Sequence, residues 1–521
     1  MMNGRASVAF SVVVVAAVCW LAGAHAATVW PQPLQMATTR DVYHLDVSFF
    51  FNSSSTSDIF LAAARRYETL MTPFMVSNGD FTMCQVNIAS KNESLTLDTN
   101  ESYSLSVSSS GVIINAETVF GAMHGMETLS QLVTRDGVNG TEVNDSPRFR
   151  YRATMIDTSR HWYPVVVIKA HLDAMAYAKM NVLHWHIVDD VSFPYESLTY
   201  PKMSKSGAFS PSHVYTQADI KELLEYYLAL RGPTLLQFDT PGHARAGYNT
   251  VSDLVTQCYN KKGEPAGTGP LNPTLDSTYD FLTKFFAEIK NVFPDKFVHV
   301  GGDEVGFGCW ESNPQVSKWV KNHPNISTYA ELEQYYELNL LNILGQQGSS
   351  YICWQEIFDN GIKILPDTVV EVWKGNGWND TMARVTKAGY HSVLSAPFYL
   401  NYISYGQDWV NYYKVEPTDF DAPEADKDRL VGGIEACMWS EYVDATNFIA
   451  RFWPRAAAVA ERAWSAKNVT DVSSAGPRLH EFRCKLNARG INAEPAMDGA
   501  INGGDYSYCD SEFVPVYQPP F

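Results

Sequence analysis

The stretch His299-Val300-Gly301-Gly302-Asp303-Glu304-Val305 decides how this chain is read. The apolar run Phe297-Val298-His299-Val300 has the makings of a short buried strand. Two glycines then let the backbone turn sharply, and two carboxylates follow side by side. Like charges at a strand mouth cannot both ionise freely, so one carboxyl of such a pair holds its proton. A protonated carboxyl beside an ionised one is the pair that glycoside chemistry uses. A lone Asp-Glu at a loop start is more often merely solvated, so its surroundings carry the decision.

On both sides of this turn, short apolar runs alternate with helical stripes. Runs at 152–156, 181–187, 234–238, 297–300, 350–354, 369–373, 392–395 and 434–439 read as strands. Between them, Pro164 opens one helix, Thr216-Gln217-Ala218-Asp219 forms a capping box for another, and 279–292 and 329–344 carry helical periodicity. A last apolar helix spans 445–464. Eight such β/α units predict an α/β fold, a closed (β/α)8 TIM barrel, with an open doubly wound sheet as the alternative. No G-x-G-x-x-G or Walker-type loop follows any strand, which removes the nucleotide readings, and no cofactor is expected.

Residues 27–147 read as a small α/β (α+β) support domain and 148–521 as the catalytic barrel with a C-terminal tail. Strands are expected at 43–51 and 84–88, with loose alternation over 104–114 and helices at 59–71 and 118–132. In the second helix Phe120, Met123, Met126, Leu129 and Leu132 make one apolar stripe. The polar run from Asn139-Gly140 to Pro147 reads as the linker. Ahead of this, 1–26 has the pattern of a signal peptide: Arg5, an apolar 8–21, and an Ala24-His25-Ala26 cleavage site. No later stretch reaches the roughly 18 apolar residues of a membrane span.

A secretory route agrees with the sequons at Asn52, Asn92, Asn100, Asn139, Asn144, Asn325, Asn379 and Asn468. Of eight cysteines, Cys19 falls in the signal segment. Cys258–Cys309 and Cys484–Cys509 are the expected bridges; Cys353 and Cys437 sit in apolar runs as buried thiols, and Cys84 has no evident partner. A net charge of −18 disfavours nucleic acid and anionic membrane as partners, because both need a basic face.

In a parallel barrel, function collects past the C-terminal strand ends. In strand order those positions hold Asp157 and Arg160; His184, His186, Asp189 and Asp190; Asp239 and His243; Asp303 and Glu304; Trp354 and Glu356; Trp373; Tyr399, Asn401 and Tyr402; and Trp439 and Glu441. Sugar rings have apolar C–H faces and polar edges, which suits three indoles among carboxylates and an arginine. His184-Trp185-His186 could hold a metal, but alternate strand residues share a face, so inward packing is expected and no metal.

These motifs resemble the family 20 glycoside hydrolases, the β-N-acetylhexosaminidases, in the style of their lysosomal members. The resemblance rests on His299-Val300-Gly301-Gly302-Asp303-Glu304, Ile156-Asp157-Thr158-Ser159-Arg160-His161 and Leu183-His184-Trp185-His186-Ile187-Val188-Asp189-Asp190. Phe238-Asp239-Thr240-Pro241-Gly242-His243, Trp354-Gln355-Glu356, Val372-Trp373-Lys374, Tyr405-Gly406-Gln407-Asp408-Trp409 and Glu435-Ala436-Cys437-Met438-Trp439-Ser440-Glu441-Tyr442 extend it over the barrel. It implies an exo-acting, retaining hydrolase of terminal β-linked GlcNAc or GalNAc, in which the substrate's acetamido oxygen is the nucleophile. Glu304 would be the acid and then the base, and Asp303 and Tyr399 would hold the acetamido group. Asp189 and His243 would form a relay behind Glu304. Trp354, Trp373 and Trp439 would wall the sugar, while Arg160, Asn401 and Glu441 would face its hydroxyls. Gln237 stands where the family commonly has Glu, and Asn401 is followed by Tyr402 rather than a cation. The expected partner is an oligosaccharide or glycoconjugate, the state a homodimer, and the location lysosomal or secreted.

Overall fold

The computed structural model describes residues 28–496 and 509, apart from 231, 233, 294 and 405. The expected signal segment lies outside the described residues, as does most of the C-terminal tail. Eight parallel strands close into a barrel: Tyr151–Asp157, Val182–Val188, Thr234–Thr240, Phe297–Gly301, Ser350–Trp354, Val369–Val372, His391–Leu394 and Val431–Met438. The eighth strand pairs with the first in parallel, from Gly433 opposite Tyr151 to Met438 opposite Ile156, and completes the ring. The open-sheet alternative is thereby excluded.

Alternate residues of each strand face the barrel axis, which builds the interior in layers. At the bottom, Ala153, Val182, Leu235, Ile352, Val369 and Val393 form one apolar cluster. One step up, the even-numbered strands contribute His184, His299, Glu371 and Glu435, all fully buried. Barrel layers are usually branched apolar side chains; this one is entirely titratable.

Local signals behave as their chemistry demands. Thr216 and Asp219 cap the helix Gln217–Ala229 reciprocally, and Thr328 with Glu331 does the same for Tyr329–Gln346. The expected helix over 445–464 is two helices, Phe448–Phe452 and Arg455–Trp464. Pro454, which lacks an N–H, stands between them.

The N-terminal unit is a six-stranded mixed sheet in the order Gln35–Tyr43, Val138–Asp145, Tyr103–Ser108, Gly111–Ala116, Phe81–Ile88, Leu45–Asn52. Helices Asp58–Met71 and Val119–Leu132 pack in its core. Two expectations need correction here. The run 139–147 is largely not linker: Val138–Asp145 is an inner strand, paired with Gln35–Tyr43 on one side and Tyr103–Ser108 on the other. Thr141, Val143 and Asp145 turn inward between exposed Glu142 and Asn144, a period-2 pattern hidden by polar residues. The strand expected at 43–51 is Leu45–Asn52, and a separate strand, Gln35–Tyr43, precedes it.

Buried charges join this unit to the barrel. Arg152 meets Glu101 at 2.7 Å, Glu101 meets His124 at 2.9 Å, and Lys179 meets Asp145 at 3.0 Å. Trp464 of the barrel enters the N-terminal core. Cutting one partner of such a buried pair strands the other charge, so the two units are held as one body. Both expected disulfides are present, Cys258–Cys309 and Cys484–Cys509. Cys84, Cys353 and Cys437 are free and buried. Of the sequon asparagines, Asn139 is half-buried and the other seven are exposed.

Candidate active site

The turn after the fourth strand needs its glycines. Gly301 and Gly302 have φ of +73° and +86°. A Cβ on Gly301 would collide with the Asp239 carboxylate, and one on Gly302 with Ile357. Glu304 itself sits at φ +50°, a costly region for a residue with a Cβ. The strained turn points the two carboxylates differently: Asp303 is buried, while the Glu304 side chain is 61% exposed.

The upward shift that the sequence implied for one of the pair falls on Asp303. Burial first, then the neighbouring Asp239 charge, push its carboxyl up to about 8. Its Oδ1 is buried with no hydrogen-bond partner in the protein. A buried acceptor left open at the mouth of a barrel asks for a donor from a ligand.

His243 stands between the carboxylates. Its Nε2 is 3.4 Å from Glu304 Oε2 and 3.7 Å from Asp303 Oδ2, and its Nδ1 is 3.3 Å from Asp189 Oδ1. Burial opposes the imidazolium, but the bond to Asp189 and the charges of Asp303, Asp189 and Asp239 outweigh it and push His243 up to about 10. Asp189 also accepts from His186 at 3.0 Å and pairs with Arg160 at 2.7 Å. Although burial works against it, these partners hold its carboxyl well below the usual carboxylate range. Asp157 pairs with Arg160 from the other side at 3.3 Å and accepts the Ser440 N–H, tying the first strand end to the eighth.

Aromatic side chains line the pit. Trp354 lies 6.3 Å from Trp373 and 6.1 Å from Trp439, centroid to centroid. Tyr399 stacks on Trp373 at 6.2 Å and on Tyr402 at 5.8 Å. The Arg160 guanidinium lies over Trp439 at 4.8 Å. Burial pushes the Tyr399 hydroxyl well above its ordinary value, so it remains a donor. Trp354 Nε1 and Asn401 Oδ1 are buried without protein partners. The exposed Glu441 lies close enough to raise the Arg160 proton affinity.

The candidate residues named from the sequence come from the C-terminal ends of the barrel strands or the loops just past them, except His184, which lies lower, in the buried layer within the second strand. Sequence reasoning gave no role to Glu356, whose carboxylate accepts the Trp373 Nε1–H at 2.8 Å and holds that indole in place. Nor did it single out Glu435, which takes His184 Nδ1 at 2.8 Å. The H-x-H pair does pack inward, on separate layers, with each imidazole already engaged by its own carboxylate. A cavity of about 760 Å³ opens at the opposite end of the barrel, around Tyr151, Val182, Ile352 and Val393. It holds none of the candidate catalytic groups.

The model of the glycosyl hydrolase family 20 catalytic domain matches residues 149–467, and a β-acetyl hexosaminidase-like model matches 29–132. The chain belongs to glycosyl hydrolase family 20. It is an enzyme, a glycoside hydrolase of the β-hexosaminidase class. It is 44% identical over 498 residues to the human β-hexosaminidase subunit beta, covering 91% of this chain and 89% of that one. With the rat subunit alpha it is 42% identical over 511 residues, covering 93% and 95%. Among solved structures, a Flavobacterium johnsoniae chitobiase superposes with a TM-score of 0.77 at 30% identity, over 89% of this chain and 73% of that one. Among the described residues no helix is long and apolar enough to cross a membrane.

Proposed function

We propose that this family 20 enzyme removes terminal β-linked GlcNAc or GalNAc from glycans by a retaining, substrate-assisted route. The carrying observation is the buried, unpartnered Asp303 Oδ1 beside an exposed Glu304, with Tyr399 on the facing aromatic wall. A two-carboxylate retaining site would place an ionised oxygen nucleophile at the sugar. Here the carboxyl nearest the pit floor holds its proton when the site is empty and suits an acetamido N–H better than an anomeric carbon.

In this reading the acetamido oxygen attacks C1 while Glu304 gives its proton to the leaving glycosidic oxygen, and the C1–O bond breaks. Positive charge passes to the acetamido nitrogen as an oxazolinium ring forms. Asp303 accepts the N–H as a carboxylate, because with substrate bound its proton passes through His243 Nε2, which lies between the two carboxyls, to Glu304, the group that spends it on the leaving oxygen. Tyr399 donates to the acetamido oxygen and aims it. Water then adds at C1, Glu304 takes its proton, the ring opens, and the β-configuration is retained. His243, held by Asp189, keeps a positive charge 3.4 Å from Glu304 and supports it as a carboxylate between the two steps.

Trp354, Trp373 and Trp439 supply the wall for the sugar face, and Arg160, Asn401 and Glu441 its hydroxyl partners. No cation follows Asn401, so neutral rather than sulfated terminal sugars fit this rim. The signal pattern and sequons support a lumenal life, lysosomal or secreted; the relatives are named as alpha and beta subunits, which supports an assembly of more than one subunit, and for this chain the proposal is a homodimer. Sedimentation at twice the mass of the mature, glycosylated monomer tests the latter. Proton NMR of the first-formed product tests the mechanism: the β-anomer is expected from a chromogenic β-GlcNAc, with inhibition by an N-acetyl thiazoline. An α-anomer first, or no inhibition, overturns it.

A further inference from the structure

The fully buried layer of His184, His299, Glu371 and Glu435 lies beneath the pit and takes no part in the chemistry above. It connects upward to the turn through Gly301. The Gly301 N–H donates to His299 Nδ1 at 3.1 Å. That N–H belongs to the first of the positive-φ residues in the turn that carries Asp303 and Glu304. An imidazole that accepts at Nδ1 carries its proton on Nε2, and His299 Nε2 faces Glu371 Oε2 at 3.6 Å, a polar approach too long for a direct hydrogen bond. The ring is clamped from the sides as well, 4.7 Å from the His184 ring and 4.6 Å from the Trp354 indole. His184 is anchored by Glu435, which Tyr151 also holds through its hydroxyl at 2.6 Å.

We propose that His299 is a positioning residue for the Asp303–Glu304 pair: its Nδ1 ties down the Gly301 N–H, and Glu371 beneath it gives the protonated Nε2 a polar neighbour. This rests on the proposed role of that pair. That bond sits at the root of the strained turn, and without it the carboxylates lose their register with the pit. Burial and the nearby His184 and His186 keep His299 from taking a second proton, which would convert the acceptor into a donor. Glu371 is itself held neutral, by burial first and then by the Glu435 charge, so what it presents to His299 Nε2 is a polar group and not a negative charge.

The test compares His299→Leu, His299→Asn, Glu371→Gln and Glu371→Leu in the full chain, with kcat and KM on a chromogenic β-GlcNAc, the pH profile and the thermal midpoint. An asparagine Oδ1 can stand near the position of Nδ1. His299→Leu should lower kcat by about 100-fold with KM little changed, the scale of a misplaced catalytic group. His299→Asn should recover about tenfold of that loss, with an unshifted pH profile. Glu371→Gln should stay within about threefold of wild type, while Glu371→Leu should resemble His299→Leu. If His299→Leu does not fold, the Asn and Gln variants carry the test alone. A His299→Leu enzyme with normal kcat, a His299→Asn variant that folds yet recovers nothing or moves the pH profile, or a Glu371→Gln variant as poor as Glu371→Leu overturns the inference. A wild-type enzyme inert on this substrate would instead strike at the proposed function.

Discussion

Asp303→Asn should stabilise this protein at neutral pH while stopping its chemistry. The Asp303 carboxyl is raised from an ordinary 3.8 to about 8, by burial first and then by Asp239. Between those values the folded chain keeps a proton that the unfolded chain has lost. Stability therefore falls as pH rises through that window, and the loss is absent below it. At pH 7 the interval amounts to about 4 kcal/mol at most. His243, 3.7 Å away, favours the ionised form and relaxation of the site takes back more, so an asparagine should gain about 2 kcal/mol. Thermal or denaturant midpoints of variant and wild type, measured at pH 4 and pH 7.5, read the difference. The variant should match wild type at pH 4 and exceed it at pH 7.5. An equal offset at both pH values, or a variant weaker at pH 7.5, would refute the reasoning that places a proton-holding carboxyl at this position.

Other outcomes follow from the same geometry. Glu304→Gln should cut kcat by about 1,000-fold while calorimetric binding of N-acetylglucosamine stays near wild type, because Glu304 is exposed beside the pit and not part of its wall. Tyr399→Phe removes one buried donor and should cost about 2–3 kcal/mol of transition-state stabilisation, read in kcat/KM, with the fold intact by circular dichroism. Cys258→Ser with Cys309→Ser opens a bridge with a sequence separation of 51, beside the helix Phe307–Ser312 that follows Glu304. A loss of about 2–4 kcal/mol in a chemical denaturation midpoint is expected.

The barrel was legible because each of its strands is a short apolar run between helical stripes, and a parallel strand buried on both faces has no other way to look. The glycine turn was legible because only glycine reaches the φ of Gly301 beside Asp239. The strand Val138–Asp145 was not: its inward positions include Thr141 and Asp145, and the partners that let Asp145 be buried, Lys179, Tyr103 and Trp464, come from elsewhere in the chain. The choice of Asp303 over Glu304 as the proton-holding partner was equally hidden. It depends on which of two adjacent side chains the turn buries, and on Asp239 arriving from another strand. The polar layer escaped for a related reason. His184, His299, Glu371 and Glu435 each sit alone in an apolar run, and only closure of the barrel brings them together.

The central claim is that the substrate's own acetamido group performs the displacement between Asp303 and Tyr399. Hydrolysis of paired chromogenic β-glycosides, identical except that one carries the 2-acetamido group and the other a 2-hydroxyl, tests it directly. The account predicts that kcat for the 2-hydroxyl compound falls by at least about 1,000-fold, the worth of an oriented intramolecular nucleophile. Comparable rates for the two would contradict it.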